Sequence, residues 1–370
     1  VGIKRIEEFL ANQENKSGRV RFAIFLAIVL MILAALYVRP AIHTAALGDS
    51  YAQLSNDPFS PDPNPVGFRI LTPLISYLLG LHGQLIIVTN LLFATIFLFL
   101  TYLYFRKIKF DPADATFATA VFAFSLVTLT TIYYGGYCDS LTYTIVLLMC
   151  WFRSRPLLIS VLLFLGLLNR ESIIVLVPWF MFLIYNESTN KMKDLGLLGI
   201  GLVVVAAAYW GYREWISTFR TVSYDMDYYF GPLKGDLLAM FKVSMTHQGI
   251  GLFTVFKATW FFVFVAAIYL WSKRNLWQLT SILLLIFLCW LQMFIARDSS
   301  RMLTLCFPVM IIALSYLRES NYLQFKSWAW YLLMFNLFMP QLYTYREVIN
   351  LMHSTFAKLA SIMLTGGAQW

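Results

Sequence analysis

Long apolar runs recur from Phe22 to Tyr343, and the gaps between them are short and polar. A helix that crosses a bilayer needs about 20 apolar residues, and helices packed inside a bundle can be shorter. On that basis the pattern predicts eleven spans, at about 21–38, 84–105, 113–134, 139–152, 156–169, 172–186, 194–212, 250–272, 276–296, 301–317 and 327–343. The segment 67–82 is shorter and is interrupted by Pro73, so it reads as a helix lying at the interface. The expected fold class is an all-α polytopic membrane protein forming one integral domain over 1–370. No internal repeat is visible.

Lys and Arg orient the spans. Lys4, Arg5, Lys16, Arg19 and Arg21 precede the first span, which places segment 1–20 in the cytoplasm. That apolar run is too long for a signal peptide and reads as a retained helix. Arg106 and Lys107, Arg153 and Arg155, Lys191 and Lys193, Lys273 and Arg274, and Arg318 and Lys326 then all fall in cytoplasmic turns. The outer segments are a first loop at 39–83, a second long loop at 213–249 and a C-terminal stretch at 344–370. The second loop is rich in aromatics, among them Trp215, Phe219, Tyr224 and Phe230.

Composition sharpens this picture. Hydrophobic residues make up 60% of the chain and charged residues 13%. A soluble domain carries roughly twice that charged share. The net charge of +9 therefore reflects helix-flanking cations and is no sign of nucleic-acid binding. The four cysteines lack CxxC spacing and read as small buried hydrophobes. No HExxH, GxSxG or P-loop is present, and none of the four histidines falls within a predicted span. Those absences leave a zinc protease, a serine protease and an ATPase without support.

The predicted topology puts Asp49, Arg69, Asp139, Arg170, Glu171, Asp298 and Arg301 on one side of the membrane. Charges held at a lipid boundary are expensive, so a one-sided set of both signs suggests a site. Each residue also has an ordinary role to weigh against this. Asp49, Asp139 and Asp298 suit helix N-termini, Arg69 suits a headgroup contact, and Arg170 and Glu171 can neutralise each other. Five of the twelve prolines lie between Pro58 and Pro73, which makes the first loop stiff enough to hold a carboxylate in place.

A cytoplasmic N-terminus, one span, and a long loop with an acid and an interfacial helix form a recognisable series. So do the Arg-x-Leu-x-Pro element (Arg69, Leu71, Pro73), Asp139, the Arg170–Glu171 turn, and Asp298-x-x-Arg301 before Pro308. Together they resemble the GT-C class of membrane glycosyltransferases, and within it a group of bacterial polytopic proteins. The likeness covers roughly residues 20–320. Where the class often pairs two acids in the first loop, Asp49 stands between Gly48 and Ser50.

The resemblance implies a GT-C-like fold and a polyprenyl-phosphate-linked sugar as donor. It implies a glycan, lipid or protein hydroxyl as acceptor, at the extracytoplasmic face of a bacterial inner membrane. Asp49 would then be the general base, with Asp139 the second catalytic candidate. Arg69, Arg170 and Arg301 would bind phosphate, and Glu171 and Asp298 would orient those arginines or bind sugar hydroxyls. A divalent metal is compatible with this chemistry, but no ligand spacing compels one. Two rival classes are a non-catalytic scaffold and a transporter. An Asp49 facing bulk water with separately paired arginines favours the scaffold. A polar site at mid-depth favours transport.

Overall fold

The computed structural model describes residues 2–222, 248–292, 299–319, 325–345 and 348–352. Two helices open the chain, α1 (Gly2–Ser17) and α2 (Arg19–Tyr37), hinged at Gly18, whose φ of 79° suits glycine. Helix α2 is apolar all round. Ala23, Ala27 and Ala34 pack inward while Phe25, Ile32 and Leu36 are exposed. Such exposure fits lipid rather than water.

The first loop carries α3 (Leu47–Asn56) and α4 (Leu71–Leu78). Helix α4 exposes Tyr77 and Leu78, and Leu79 just after it is exposed as well. It begins two residues after Arg69, later than the expected interfacial helix. Next come α5 (Ile86–Lys107), α6 (Pro112–Ala123) and α7 (Leu126–Tyr133). The sequence explains the start of α6: the Asp111 side chain accepts the Asp114 N–H, and Pro112 occupies the first turn. Every residue from Ala113 to Ile132 is buried, so α6 and α7 form the centre of the bundle. They replace the single expected span 113–134 with a pair bent by 47°.

Around this centre pack α8 (Asp139–Trp151), α9 (Pro156–Asn169), a 3-10 turn (Glu171–Leu176) and α10 (Val177–Glu187). Helix α11 (Lys191–Ser217) is peripheral, and most of its apolar length is not buried. Helices α12 (Gln248–Phe256) and α13 (Trp260–Ser272) join at a short 3-10 turn. There buried Lys257 donates to the Tyr37 hydroxyl (3.1 Å) and the Asn336 carbonyl (2.8 Å). The remaining helices are α14 (Leu276–Leu291), α15 (Ser299–Leu303), α16 (Pro308–Glu319) and α17 (Phe325–Phe338).

Among the described residues, length and composition single out four helices able to cross a membrane, or six if each bent pair is one span, where the sequence pattern predicts eleven spans. The last span also differs. Pro340 stops the helical pattern, and Leu342–Tyr345 pairs antiparallel with Val348–Leu351 as a β-hairpin. The described fold is therefore nearly, not wholly, α-helical.

The charged residues divide between two ends of the bundle. At one end buried Glu14 accepts from Arg19 (3.2 Å), Arg106 (3.1 Å) and Tyr102 (2.8 Å). Arg153 pairs with Glu187, Arg318 with Asp114, and Lys107 donates to the Trp151 carbonyl. Those contacts tie together turns that the sequence pattern assigns to one face. The other end holds Asp139.

Candidate functional site

The Tyr134–Cys138 turn feeds directly into α8. Gly136 has a φ of 88°, and a Cβ added at Gly48 would run into the Gly135 carbonyl. Glycines here let the first loop lie against the turn that presents Asp139.

Asp139 is buried at the start of α8 and is shared by two arginines. Arg170 donates through Nη1 to Oδ1 (2.5 Å). Arg301 donates through Nε to Oδ2 (2.6 Å) and through Nη2 to Oδ1 (3.0 Å). Both arginines are only 3% exposed. The Arg301 guanidinium lies over the Tyr137 ring at 4.1 Å, and Arg170 Nη2 lies 3.3 Å from the Met302 sulfur.

Asn169 fixes the turn that carries Arg170. Its amide donates to the Cys138 carbonyl and to the Thr142 hydroxyl (2.8 Å each), and its oxygen accepts from Thr72 (2.6 Å). One side chain thereby joins α4, α8 and α9. Gly166 leaves room for Ile173, so the 3-10 turn folds back on α9.

Arg69 extends the cluster. Its Nε donates to Glu171 (2.7 Å) and its Nη1 to the Tyr51 hydroxyl (3.1 Å). Burial pushes the Tyr51 phenol up to about 12, while Arg69 and Arg301 act on it in the opposite sense. Five of the seven expected residues thus form one cluster: Arg69, Asp139, Arg170, Glu171 and Arg301. Among the described residues, three guanidiniums of this cluster face two carboxylates.

Asp49 stands apart. It lies exposed in the first turn of α3, where it accepts from the Thr44 hydroxyl (2.6 Å). The Thr44 N–H donates in turn to Gln84 (2.7 Å). Among the described residues no cation pairs with Asp49. Asp298 lies outside the described residues, as do Tyr224, Phe230 and most of the second long loop. No group of three or more acidic, His or Cys side chains suited to a metal occurs among the described residues.

Beside the charged cluster runs a groove of about 720 Å³ between α9, the 3-10 turn, α10 and α11. Leu163, Leu167, Ile174, Val177, Leu202 and Val205 give it apolar walls. Its polar lining is Glu171, Tyr209, Arg213 and Glu214. Glu171 is the residue that holds Arg69, so groove and cluster share a member. The Arg213 guanidinium lies 4.2 Å over the Phe68 ring, next to Arg69 in sequence.

Arg213 and Arg220 have roles the sequence pattern did not single out. Arg220 is 2% exposed and donates to the carbonyls of Ser60 (2.8 Å), Pro58 (2.9 Å) and Gly67 (3.3 Å). It clamps the proline-rich loop just ahead of Arg69. A lone Arg after an apolar helix looks like any helix-flanking cation, so only its partners reveal this.

No family profile matches the chain, and no curated protein matches it. Among solved structures it is similar to the apo oligosaccharyltransferase of Archaeoglobus fulgidus, at 12% identity and a TM-score of 0.49. That match covers 86% of this chain and 53% of the archaeal one, so the chain spans about half the length of that structure. A likeness at this level assigns no function.

Proposed function

We propose that this chain is a membrane glycosyltransferase that takes its sugar from a polyprenyl-phosphate donor. The observation that carries the reading is an apolar groove whose polar end holds Arg213 together with Glu171, the partner of Arg69. An isoprenoid chain suits walls of Leu, Ile and Val, and a phosphate at the polar end would meet Arg213, with Arg69 held behind Glu171. Behind them the Asp139–Arg170–Arg301 cluster adds positive potential without exposing its own charges. The basic turns at the opposite end favour a cytoplasmic N-terminus, with the site at the extracytoplasmic face.

In this reading the acceptor hydroxyl attacks the sugar's anomeric carbon. The new oxygen–carbon bond forms as the bond to the phosphate oxygen breaks, and polyprenyl phosphate departs with the electron pair. The acceptor proton goes to a carboxylate. Of the two aspartates, Asp49 keeps lone pairs open, whereas both Asp139 oxygens already accept from guanidiniums. Arg213 at the groove's polar end stabilises the charge on the leaving phosphate.

A second reading has its own support. Asp49 faces solvent, and Arg69, Arg170 and Arg301 are each ion-paired. A scaffold that binds lipid phosphate without turning it over would look the same.

Binding of labelled polyprenyl phosphate to the purified protein in detergent tests the common element. Arg213→Ala should weaken binding by about tenfold, the loss of one charge-assisted contact. Unchanged binding, or no binding by the unsubstituted protein, removes the groove from the account.

A further inference from the structure

Helix α1 sorts its charges by side. Glu7 and Glu14 stand seven positions apart, on the stripe that also carries Leu10, and α1 packs against α2 and α6 with Leu10 turned to the core. Glu14 is buried and accepts from Arg19, Arg106 and Tyr102. The opposite stripe holds Arg5, Phe9, Asn12 and Lys16, at i, i+4, i+7 and i+11, and all of them are exposed. Ile6 lies beside it, one turn from Phe9. Ile6 is 46% exposed and Phe9 59%. Two large apolar side chains therefore leave the helix between two cations.

The level of α1 in the bundle says what these side chains meet. At the same end of the bundle, cations lie over aromatic rings: Lys107 over Trp151 (4.9 Å), Arg155 over Phe152 (5.8 Å), Lys191 over Tyr185 (4.8 Å) and Lys273 over Tyr269 (5.9 Å). Rings with cations set over them suit a membrane interface, where the ring meets acyl chains and the charge meets headgroups. Arg106 adjoins Lys107 and holds Glu14, so α1 is fastened at this level. Just past Gly18, α2 already exposes Val20, Ile24 and Phe25, the surface of a helix in lipid.

Charge and apolar surface together define the partner. Glu14 is buried and Glu7 partly so, which leaves Glu8 as the exposed acid of α1 against exposed Lys4, Arg5 and Lys16. Exposed Arg19 and Arg21 follow at once. A soluble anion has no use for Ile6 and Phe9. A zwitterionic headgroup offers these cations no net charge. An anionic phospholipid satisfies both parts, with its acyl chain against Ile6 and Phe9 and its headgroup against Arg5 and Lys16.

We propose that α1 is an interfacial anchor that selects anionic phospholipids in the leaflet at the Glu14 end of the bundle. Ile6 and Phe9 enter below the headgroups, and Arg5 and Lys16 supply the selection. The site lies at the opposite end from Asp139 and stands independently of the glycosyl-transfer reading.

A small fluorophore on Phe9→Cys reports the contact, in the full chain reconstituted into bilayer discs of mixed phosphatidylcholine and phosphatidylglycerol. The four native cysteines are buried, so the introduced thiol takes the label. Bromine on the acyl chains of one lipid at a time quenches the label only where that lipid touches it. Brominated phosphatidylglycerol should quench at least about twofold more than brominated phosphatidylcholine, since each basic residue at the surface favours the anionic lipid by about fivefold. Arg5→Gln with Lys16→Gln should bring the two lipids level, and Arg5→Lys with Lys16→Arg should keep the preference. A label on Val203→Cys, on the exposed apolar side of α11, should show no preference. Should Phe9→Cys fail to fold, Ile6→Cys carries the label instead. Equal quenching by both lipids without the Gln substitutions overturns the selection, and so does a preference that survives them. Quenching by aqueous iodide and by neither lipid puts this face in water, and shielding from all three quenchers puts it against protein. Either result overturns the anchor.

Discussion

Asp49 and Asp139 stand at the same end of the bundle and have opposite environments. Asp139 is buried and accepts three hydrogen bonds from two guanidiniums. Asp49 is exposed and accepts one from a threonine hydroxyl. The contrast teaches that a carboxylate near the membrane can be an organiser or a reagent, and that its partners decide which. A carboxylate saturated by cations holds elements together and gives up no lone pair. One with a single neutral donor keeps lone pairs available for a proton.

The largest test of this contrast is Asp139→Asn. It would take the shared carboxylate away from buried Arg170 and Arg301, and breaking a buried pair from one side costs about 3–5 kcal/mol. Thermal unfolding of the purified variant should show that loss, or the variant should fail to accumulate. An Asp139→Asn protein that melts like the unsubstituted one would deny Asp139 its organising role.

Next comes the clamp on the loop that leads to Arg69. Arg220→Met strips partners from the carbonyls of Pro58, Ser60 and Gly67. A local loss of about 1–3 kcal/mol follows. Hydrogen exchange should speed up across residues 58–68 and stay unchanged in α6 and α7. Equal exchange in both variants would mean that the prolines alone hold the loop.

A smaller effect belongs to Thr44→Val, which removes the one side-chain donor to Asp49. It should shift the orientation of Asp49 at a cost of about 1 kcal/mol in turnover, with no change in lipid binding. The smallest effect is on the stability of Asp49→Asn. An exposed carboxylate without an ion pair should change unfolding by no more than about 0.5 kcal/mol. A large destabilisation there would erase the distinction between the two aspartates.

Much of this arrangement can be read along the chain, and the part that cannot has physical causes. The apolar runs and helix-flanking cations mark where most helices lie, because lipid demands continuous apolar length. Charged residues from separate turns meet in the structure: Glu14 reaches Arg106, and Arg170 reaches Asp139. What is not legible is which charges meet. Asp139 and Arg301 are 162 positions apart, and only folding makes them partners. The bend between α6 and α7 and the hairpin after Pro340 depend on packing that apolar periodicity does not report. Arg213 and the groove are invisible for a similar reason, since the groove exists only once α9, α10 and α11 are assembled.

The most direct measurement is the release of polyprenyl phosphate from polyprenyl-phosphate hexose, by the unsubstituted protein and by Asp49→Asn, with binding measured alongside. Both should bind the lipid equally, and release by Asp49→Asn should fall by on the order of 100-fold or more, the usual contribution of a general base. Release by Asp49→Asn at the unsubstituted rate would contradict the assignment of Asp49. Tight binding with no release by either protein would make the chain a lipid-phosphate scaffold instead.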